Sequence, residues 1–168
     1  MNPRTLDFRK ERWPIRGGFR IARGEKHDAE ILLVEIAQNG HVGRGEGVPH
    51  GRYGETPDSA IAEIGRVSDR IVTGLTRAEL QDAMKPGAAR NALDCALIDL
   101  EAKQSQMPAH ALLGLPAPKP LMTAFTLSLD RPSPMAEAAS AAGKSRASSP
   151  QAKSRWRWRY RARSRGSG

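Results

Sequence analysis

Residues 144–168 carry the side chains best suited to binding a polyanion. This segment contains nine Lys or Arg and no Asp or Glu, so it accounts for the whole formal net charge of +9. Its arginines alternate with Trp156, Trp158 and Tyr160. Cationic side chains neutralise phosphates, while aromatic rings stack on bases or enter a membrane interface. The segment therefore predicts a disordered basic tail that binds nucleic acid or an anionic membrane.

Other residue types that often do chemistry form no recognisable constellation in this chain. The string GRGEG at 43–47 lacks the third glycine of a dinucleotide-binding loop, because Val48 stands in its place. The four histidines are scattered without the spacing of metal ligands. Cys95 lies among apolar residues at helical spacing, which predicts a buried, reduced thiol. From these residues we expect no catalytic group and no metal ligand in the chain.

Residues 1–143 have the composition of an ordinary folded domain. Apart from the tail, 18 basic residues remain, equal to the 18 acidic ones. The segments 4–15 and 29–38 read as strands, the second being rich in Ile, Leu and Val. Asn39 and Gly40 predict a tight turn, after which 41–48 pairs back as a third strand. The pattern indicates a three-stranded antiparallel meander.

Helical patterns follow the meander. Thr56 before Pro57 is typical of a helix start, and this helix runs through Val67. In 88–104 apolar residues recur every three or four positions, which predicts a stronger helix, and a short helical turn is expected at 108–114. A meander followed by a helical bundle gives an α+β fold class.

A composition change then marks a domain boundary. The Pro-rich string LPAPKP at 115–120 is typical of a connector, and a strand at 122–129 followed by a helix at 133–143 comes after it. A strand and a helix in this order look like the first step of a larger parallel structure. We predict three parts: an α+β domain at 1–115, a lone strand and helix at 116–143, and the basic tail at 144–168.

Three strings carry a resemblance to a known family. They are WPIRGGFRIARG at 13–24, GRGEGVPHGRYGET at 43–56 and ARNALDCALIDLEAK at 89–103. In this order the strings resemble the muconate-lactonizing subgroup of the enolase superfamily, and most closely the dipeptide epimerases that act on L-Ala-D/L-Glu. The resemblance covers about residues 3–142.

The resemblance implies a capping domain that closes over a C-terminal (β/α) barrel. In such enzymes the barrel supplies a KxK motif, three acids that bind Mg²⁺ and a further Lys. The reaction removes a proton α to a carboxylate, so the enolate needs the positive charge of the metal beside it. All of these groups would lie beyond Gly143. The resemblance also implies a dipeptide substrate and allows a homo-oligomer of the full-length enzyme.

The same resemblance implies five substrate-binding residues in this chain. Phe19 and Arg23 would lie in the mobile loop over the barrel mouth, Arg52 and Tyr53 in its neighbour, and Thr126 on the first barrel strand. An Arg in this position suits a carboxylate because its planar fork donates two parallel hydrogen bonds. The alternatives are plain: an Arg is often a solvated surface charge, and a Thr on a strand often reflects β-propensity.

The genetic code offers a second interpretation of the tail. Back-translated and read one base later, the codons for residues 150–160 permit LKLKVGGDGDI. This string contains a KxK motif where the resemblance expects the second barrel strand. We therefore interpret the tail as an out-of-frame translation and the chain as a truncated, inactive epimerase-like protein. A charged N-terminus and the lack of a long apolar run predict a cytoplasmic location.

Overall fold

A three-stranded antiparallel sheet forms the first part of the chain. The computed structural model describes residues 3–22, 24–121 and 126–147. Strands β1 (Thr5–Ile21), β2 (Gly24–Gln38) and β3 (His41–Gly47) lie side by side in sequence order. Asn39 and Gly40 join β2 to β3 with φ of 51° and 78°, the left-handed conformation that a two-residue hairpin turn requires. The predicted meander is confirmed.

Helices follow the sheet. They are α1 (Pro57–Val72), α2 (Arg77–Ala83), α3 (Ala88–Ser105) and the short α4 (Ala109–Leu112). At the start of α1 the Thr56 side chain accepts a hydrogen bond from the Ser59 N–H at 3.0 Å, as a helix N-cap should. The α+β order that the sequence predicts is therefore the order of the structure.

The core lies between one face of the sheet and the helices. Leu32, Val34 and Ile36, at alternate positions of β2, are fully buried, as are Ile64 of α1 and Leu97 of α3. The period of two along the strand meets the helical period of α1 and α3, so each element contributes one apolar face. Burial of these side chains is the main stabilising contribution to this domain.

Strand β3 and helix α3 approach each other unusually closely. Gly43, Gly45 and Gly47, every second residue of β3, are buried against the backbone of α3. A Cβ at Gly45 would strike the Ala92 carbonyl and lie 2.6 Å from the Ala96 nitrogen. Because glycine has no side chain, strand and helix can pack backbone to backbone. The string GRGEG is thus a strand that packs on a helix, and its glycines serve this contact.

Side chains of α3 also cover the free edge of β3. Asp99 accepts a hydrogen bond from the Arg44 backbone N–H at 2.8 Å. Asn91 and Lys103 donate to the carbonyl oxygens of Glu46 and Val42 at 3.0 and 2.7 Å. An uncovered strand edge pairs readily with other chains. These three side chains occupy backbone groups that would otherwise invite such pairing.

The structure corrects two boundaries and adds a helix. Strand β1 was predicted to end near Ile15, yet it continues to Ile21 because pairing resumes between Phe19 and Lys26 after a register shift. Gly17 and Gly18 have φ of 75° and 72°, which allows the chain to bulge and return to the sheet. Strand β2 likewise begins earlier than residue 29, at Gly24.

Helix α2 is absent from the sequence prediction. It begins after Thr76, whose side chain and the Glu79 side chain bond to each other's backbone N–H. This capping box, Thr-x-x-Glu, was the available signal. Its short length kept it below the threshold at which periodicity alone indicates a helix.

Residues Lys119–Gly168 form a second compact unit after the first, Met1–Pro118. In the second unit α5 spans Pro132–Ala147, where a helix was predicted. The strand predicted at 122–129 is wrong for residues 126–129, which are not in a strand, while 122–125 lie outside the described residues. A strand needs a hydrogen-bonding neighbour, and 126–129 have none among the described residues of this unit.

Of the predicted tail at 144–168, residues 148–168 lie outside the described residues. The predicted boundaries at residues 115 and 143 remain predictions. Within the part of the chain that the structure describes, no helix is both long enough and apolar enough to cross a membrane.

Candidate functional site

A two-stranded ribbon projects from one end of the sheet. Strand β3 ends at Gly47 opposite Leu32, but β1 and β2 continue to pair beyond this point as far as Ile21 and Gly24. The segment that follows β3 leaves the sheet at this same end. The register therefore brings the ribbon and the 48–56 segment to one end of the domain.

Exposed ion pairs join the two strands of the ribbon. Arg12 contacts Asp28 at 2.9 Å, and Arg20 contacts Glu25 at 2.7 Å. Phe19 is half-buried in the ribbon, opposite Lys26. Pairs at such exposure contribute little to stability, so the ribbon has far weaker support than the sheet below it.

Residues 48–56 form a compact loop that presents two large side chains. Gly51–Tyr53 is a 3-10 turn, in which the His50 side chain accepts a hydrogen bond from the Arg52 N–H at 3.1 Å. The rings of His50 and Tyr53 lie 5.8 Å apart. Arg52 is exposed, and Tyr53 is 76% exposed. Their backbone is ordered by the turn while their side chains are free to meet another molecule.

Glu55 ties this loop to helix α3. Its carboxylate accepts hydrogen bonds from the His50 N–H at 3.3 Å and from the Ala88 N–H at 2.7 Å. Ala88 is the first residue of α3, whose N-cap Gly87 has no side chain to offer. A carboxylate at a helix N-terminus is also favoured by the partial positive charge there.

The arrangement suits recognition of a small anionic molecule that carries an apolar group. An exposed guanidinium provides the paired donors that a carboxylate accepts, and the neighbouring ring offers an apolar surface. Among described residues, no group of three or more His, Cys, Asp or Glu could hold a metal ion. The described residues therefore do not fit a Mg²⁺ site.

The structure brings together only some of the predicted site residues. Phe19 lies in the ribbon, and Arg52 and Tyr53 share the 3-10 turn at the same end of the sheet. Arg23 falls outside the described residues. Thr126 is exposed in the second compact unit. The substrate-binding role of all five remains a prediction.

Cys95 differs from its prediction, because the structure has it exposed rather than buried. Helix α3 buries Ala92, Leu93, Ala96 and Leu97 against the domain. Cys95 lies between these pairs, on the exposed side of the helix. Partial burial, together with the nearby Asp94 carboxylate, raises the pKa of the Cys95 thiol. A raised pKa disfavours the thiolate, so this thiol is a poor nucleophile despite its exposure.

Glu55 and Gly87 are positions that the sequence prediction missed. They stand 32 residues apart, and local periodicity gives no indication that they meet. The available signal was a carboxylate immediately before the capped start of α1, in the string RYGET. Only the structure reveals that this carboxylate faces the beginning of α3.

Comparison with known proteins places this geometry in a family context. Residues 4–114 match the N-terminal domain of the mandelate racemase / muconate lactonizing enzyme family. The chain is 43% identical over 129 residues to the L-Ala-D/L-Glu epimerase of Escherichia coli, which covers 77% of this chain and 40% of that enzyme.

Solved structures agree with this match. An enolase family member from Agrobacterium tumefaciens with homology to dipeptide epimerases, solved with sodium, L-Ala-L-Glu and an ordered loop, is 48% identical, with a TM-score of 0.76. The match covers 84% of this chain and 44% of that one. A dipeptide epimerase from Enterococcus faecalis, solved with Mg and L-Leu-L-Tyr, is 30% identical, with a TM-score of 0.72 over 86% of this chain and 43% of that one. The chain thus spans less than half the length of these relatives.

Proposed function

The chain belongs to the mandelate racemase / muconate lactonizing enzyme family, and on this premise we propose that its first compact unit is the substrate-covering cap of a dipeptide epimerase. One observation carries the proposal. The ribbon and the exposed Arg52–Tyr53 turn lie at one end of the sheet, in a chain 43% identical to an L-Ala-D/L-Glu epimerase. A cap needs such a pair of projecting loops to close over a small substrate.

Each loop would contribute a different kind of contact. Arg52, and Arg23 between β1 and β2 in sequence, would donate hydrogen bonds to a substrate carboxylate. Phe19 and Tyr53 would cover the apolar part of the dipeptide and exclude water. Thr126 would add a polar contact. The solved relatives hold L-Ala-L-Glu and L-Leu-L-Tyr, which supports a dipeptide as the substrate class.

The chemical step would belong to a barrel. The Mg²⁺ that the family resemblance implies would be held there and not by the described residues of this chain. Lysines of lowered pKa would remove and return the α-proton of the substrate. We propose that residues 1–168 alone bind dipeptide weakly and do not epimerise it, because the lysines and metal ligands of the reaction would belong to the barrel and the contacts proposed for this chain serve recognition only.

Titration with dipeptide tests the binding role. Addition of L-Ala-L-Glu to the labelled chain is expected to shift the amide signals of Arg52 and Tyr53. Arg52→Ala should abolish these shifts, whereas Arg66→Ala, an exposed Arg on α1, should retain them. The dipeptide with its carboxyl groups amidated should give no shift. Equal shifts in the wild type and in Arg52→Ala would refute the assigned role.

Isotope exchange tests the proposed lack of turnover. The chain is incubated with Mg²⁺ and L-Ala-L-Glu in deuterated water, and deuterium at the α-carbons is measured. We expect no incorporation above that of a boiled sample. Incorporation that depends on active protein would overturn the proposal and would assign a catalytic group to this chain.

The basic tail supports a second candidate function. Nine cationic residues and no acidic one in 144–168 favour binding to nucleic acid or an anionic membrane through charge. Deletion of 144–168 should then abolish binding, and affinity should fall steeply with salt. Sequencing of the gene across codons 140–168 and beyond tests the alternative, a frame shift, which predicts barrel-coding sequence in the shifted frame.

A further inference from the structure

We propose that Glu55 is a positioning residue that holds the Arg52–Tyr53 turn in place by joining it to the first turn of helix α3. The inference rests on the proposed function only in naming the turn as a substrate contact. Its basis is the bridge that one carboxylate makes between the His50 N–H and the Ala88 N–H. These two donors belong to segments far apart in sequence, and among the residues that the structure describes both donate to the Glu55 carboxylate alone of the side chains.

Both ends of the loop are fixed on the same residue of α3. At the beginning, Gly47 packs so tightly that an added Cβ would strike the Ala88 carbonyl oxygen. At the end, the Glu55 carboxylate accepts from the Ala88 N–H. The intervening residues 48–54 therefore start and finish at one point of a rigid helix. Fixing both ends of a short loop removes most of its conformational freedom.

The space around Glu55 is shaped to accept its carboxylate. A Cβ built on Gly87 would lie 2.5 Å from the Glu55 Oε1 atom, too close for any real contact. Gly87 has φ of 163°, which is extended backbone that other residues adopt as well. Glycine therefore leaves the space that the Glu55 carboxylate needs to stay in this position, and its backbone freedom is not required. Gly87 and Glu55 form a matched pair.

The Glu55 carboxylate bonds to His50, the same residue that makes the hydrogen bonds within the turn. The Tyr53 N–H donates to the His50 carbonyl at 2.9 Å, and the His50 side chain accepts from the Arg52 N–H. His50 is thus the residue on which the turn is built, and Glu55 holds the His50 backbone. Without this bond the turn can keep its internal shape while it swings relative to α3.

Amide hydrogen exchange in the full chain, without any substrate, measures how firmly the Arg52–Tyr53 turn is held. In Glu55→Gln one carboxylate oxygen becomes an NH₂ group, which cannot accept a hydrogen bond. One of the two backbone N–H groups, of His50 or of Ala88, therefore loses its acceptor. Exchange at residues 50–54 should rise about tenfold, while the core of α1 and α3 keeps its protection. Glu46→Gln, an exposed carboxylate on β3, is the matched control and should leave exchange unchanged. Unchanged exchange at 50–54 in folded Glu55→Gln would overturn the proposal.

A double-variant cycle provides an independent test. Gly87→Ala alone should displace the Glu55 side chain and accelerate exchange at 50–54 about as much as Glu55→Ala does. In the Glu55→Ala background the same Gly87→Ala change should have no further effect, because the carboxylate that it would strike is gone. Additive effects of the two changes would refute the pairing.

Failure of this inference and failure of the proposed function give different results. If Glu55 does not position the turn, exchange at 50–54 is unchanged in Glu55→Gln, Glu55→Ala and Gly87→Ala, whatever the dipeptide does. If the turn is positioned but does not bind substrate, exchange responds as expected while L-Ala-L-Glu shifts no signal in the wild type. The chemical shift of the His50 ring signals reports on the Tyr53 ring, which lies 5.8 Å away. A change of this shift in the Glu55 and Gly87 variants alone would further support positioning.

Discussion

The sheet body and the ribbon that extends from it are held by different forces. In the body, β2 buries Leu32, Val34 and Ile36 against helices, and β3 packs its glycines on α3. In the ribbon, strand pairing is supplemented by exposed ion pairs such as Arg12 with Asp28. Apolar burial is strong and is not screened by salt, whereas exposed ion pairs are weak and screened.

Because of this difference, the sheet body provides the stability of the domain, whereas the ribbon and the Arg52–Tyr53 turn are available for recognition. The body tolerates little change because its interior is closely packed. The described side chains of the ribbon and of the Arg52–Tyr53 turn are mostly exposed or half-buried, so the fold depends little on their identity. Substitutions in the two regions should therefore have very different effects on the free energy of unfolding.

Gly45→Ala is expected to have the largest effect. Its Cβ would strike the Ala92 carbonyl, and neither backbone can move without breaking the sheet or the helix. We expect a loss of more than about 4 kcal/mol in the free energy of unfolding, measured by urea denaturation. The matched control is Gly51→Ala, whose Cβ meets nothing within 4 Å, and its effect should be below about 0.5 kcal/mol. Similar losses in both variants would contradict the backbone contact.

Leu97→Ala should rank second. This side chain is fully buried in the core, and its removal leaves a cavity that costs about 3 kcal/mol. Ile21→Ala is the counterpart in the ribbon, where the side chain is 48% exposed, and it should cost less than about 1 kcal/mol. Comparable thermal denaturation midpoints for the two variants would show that the ribbon is part of the core.

Glu35 makes the body sensitive to acid. Partial burial alone would raise the pKa of Glu35, but hydrogen bonds from Arg44 and Arg9 outweigh it and hold the pKa below its usual value. A carboxyl whose pKa is lowered on folding stabilises the protein above its unfolded pKa. That contribution is lost as the pH falls through the folded value.

Urea denaturation near neutral pH and at about pH 3 checks this dependence. The wild type should lose more stability between the two conditions than Glu35→Gln, which cannot titrate. An equal loss in both proteins would mean that the carboxyls responsible lie elsewhere.

Of the changes that remove a contact, Arg20→Ala should have the smallest effect. It removes the exposed pair with Glu25 in the ribbon, and the expected cost is below about 1 kcal/mol and smaller still at high salt. Amide exchange of Phe19 and Lys26 should nevertheless increase, because their pairing lies next to the lost contact. A large fall in global stability would contradict the separation of the two regions.

The sequence predicted the regular part of the fold well and its contacts poorly. Strands and the long helices have periodic apolar residues, so the meander and α3 were visible. The first strand was predicted to end at Ile15, whereas Gly17 and Gly18 form a bulge that lets β1 continue. Cys95 was wrongly predicted as buried, because the prediction rested on its apolar neighbours in sequence and not on its position relative to the buried face of α3.

The candidate site shows the same limit. Arg52 and Tyr53 could be named from a motif, but the bond between Glu55 and Ala88 joins residues 33 apart and leaves no local pattern. Contacts of this kind arise when elements pack, and propensity carries no information about them.

The cover that α3 places over β3 has a consequence for synthesis of the chain on the ribosome. The meander is complete once Gly47 has been made. The side chains that later cover its edge come 45 to 61 residues after the backbone groups they bond; they are Asn91, Asp99 and Lys103. During this interval a nascent sheet exposes an open edge and an apolar face. Translation pauses between these two points should increase aggregation, whereas a pause after Lys103 should have little effect.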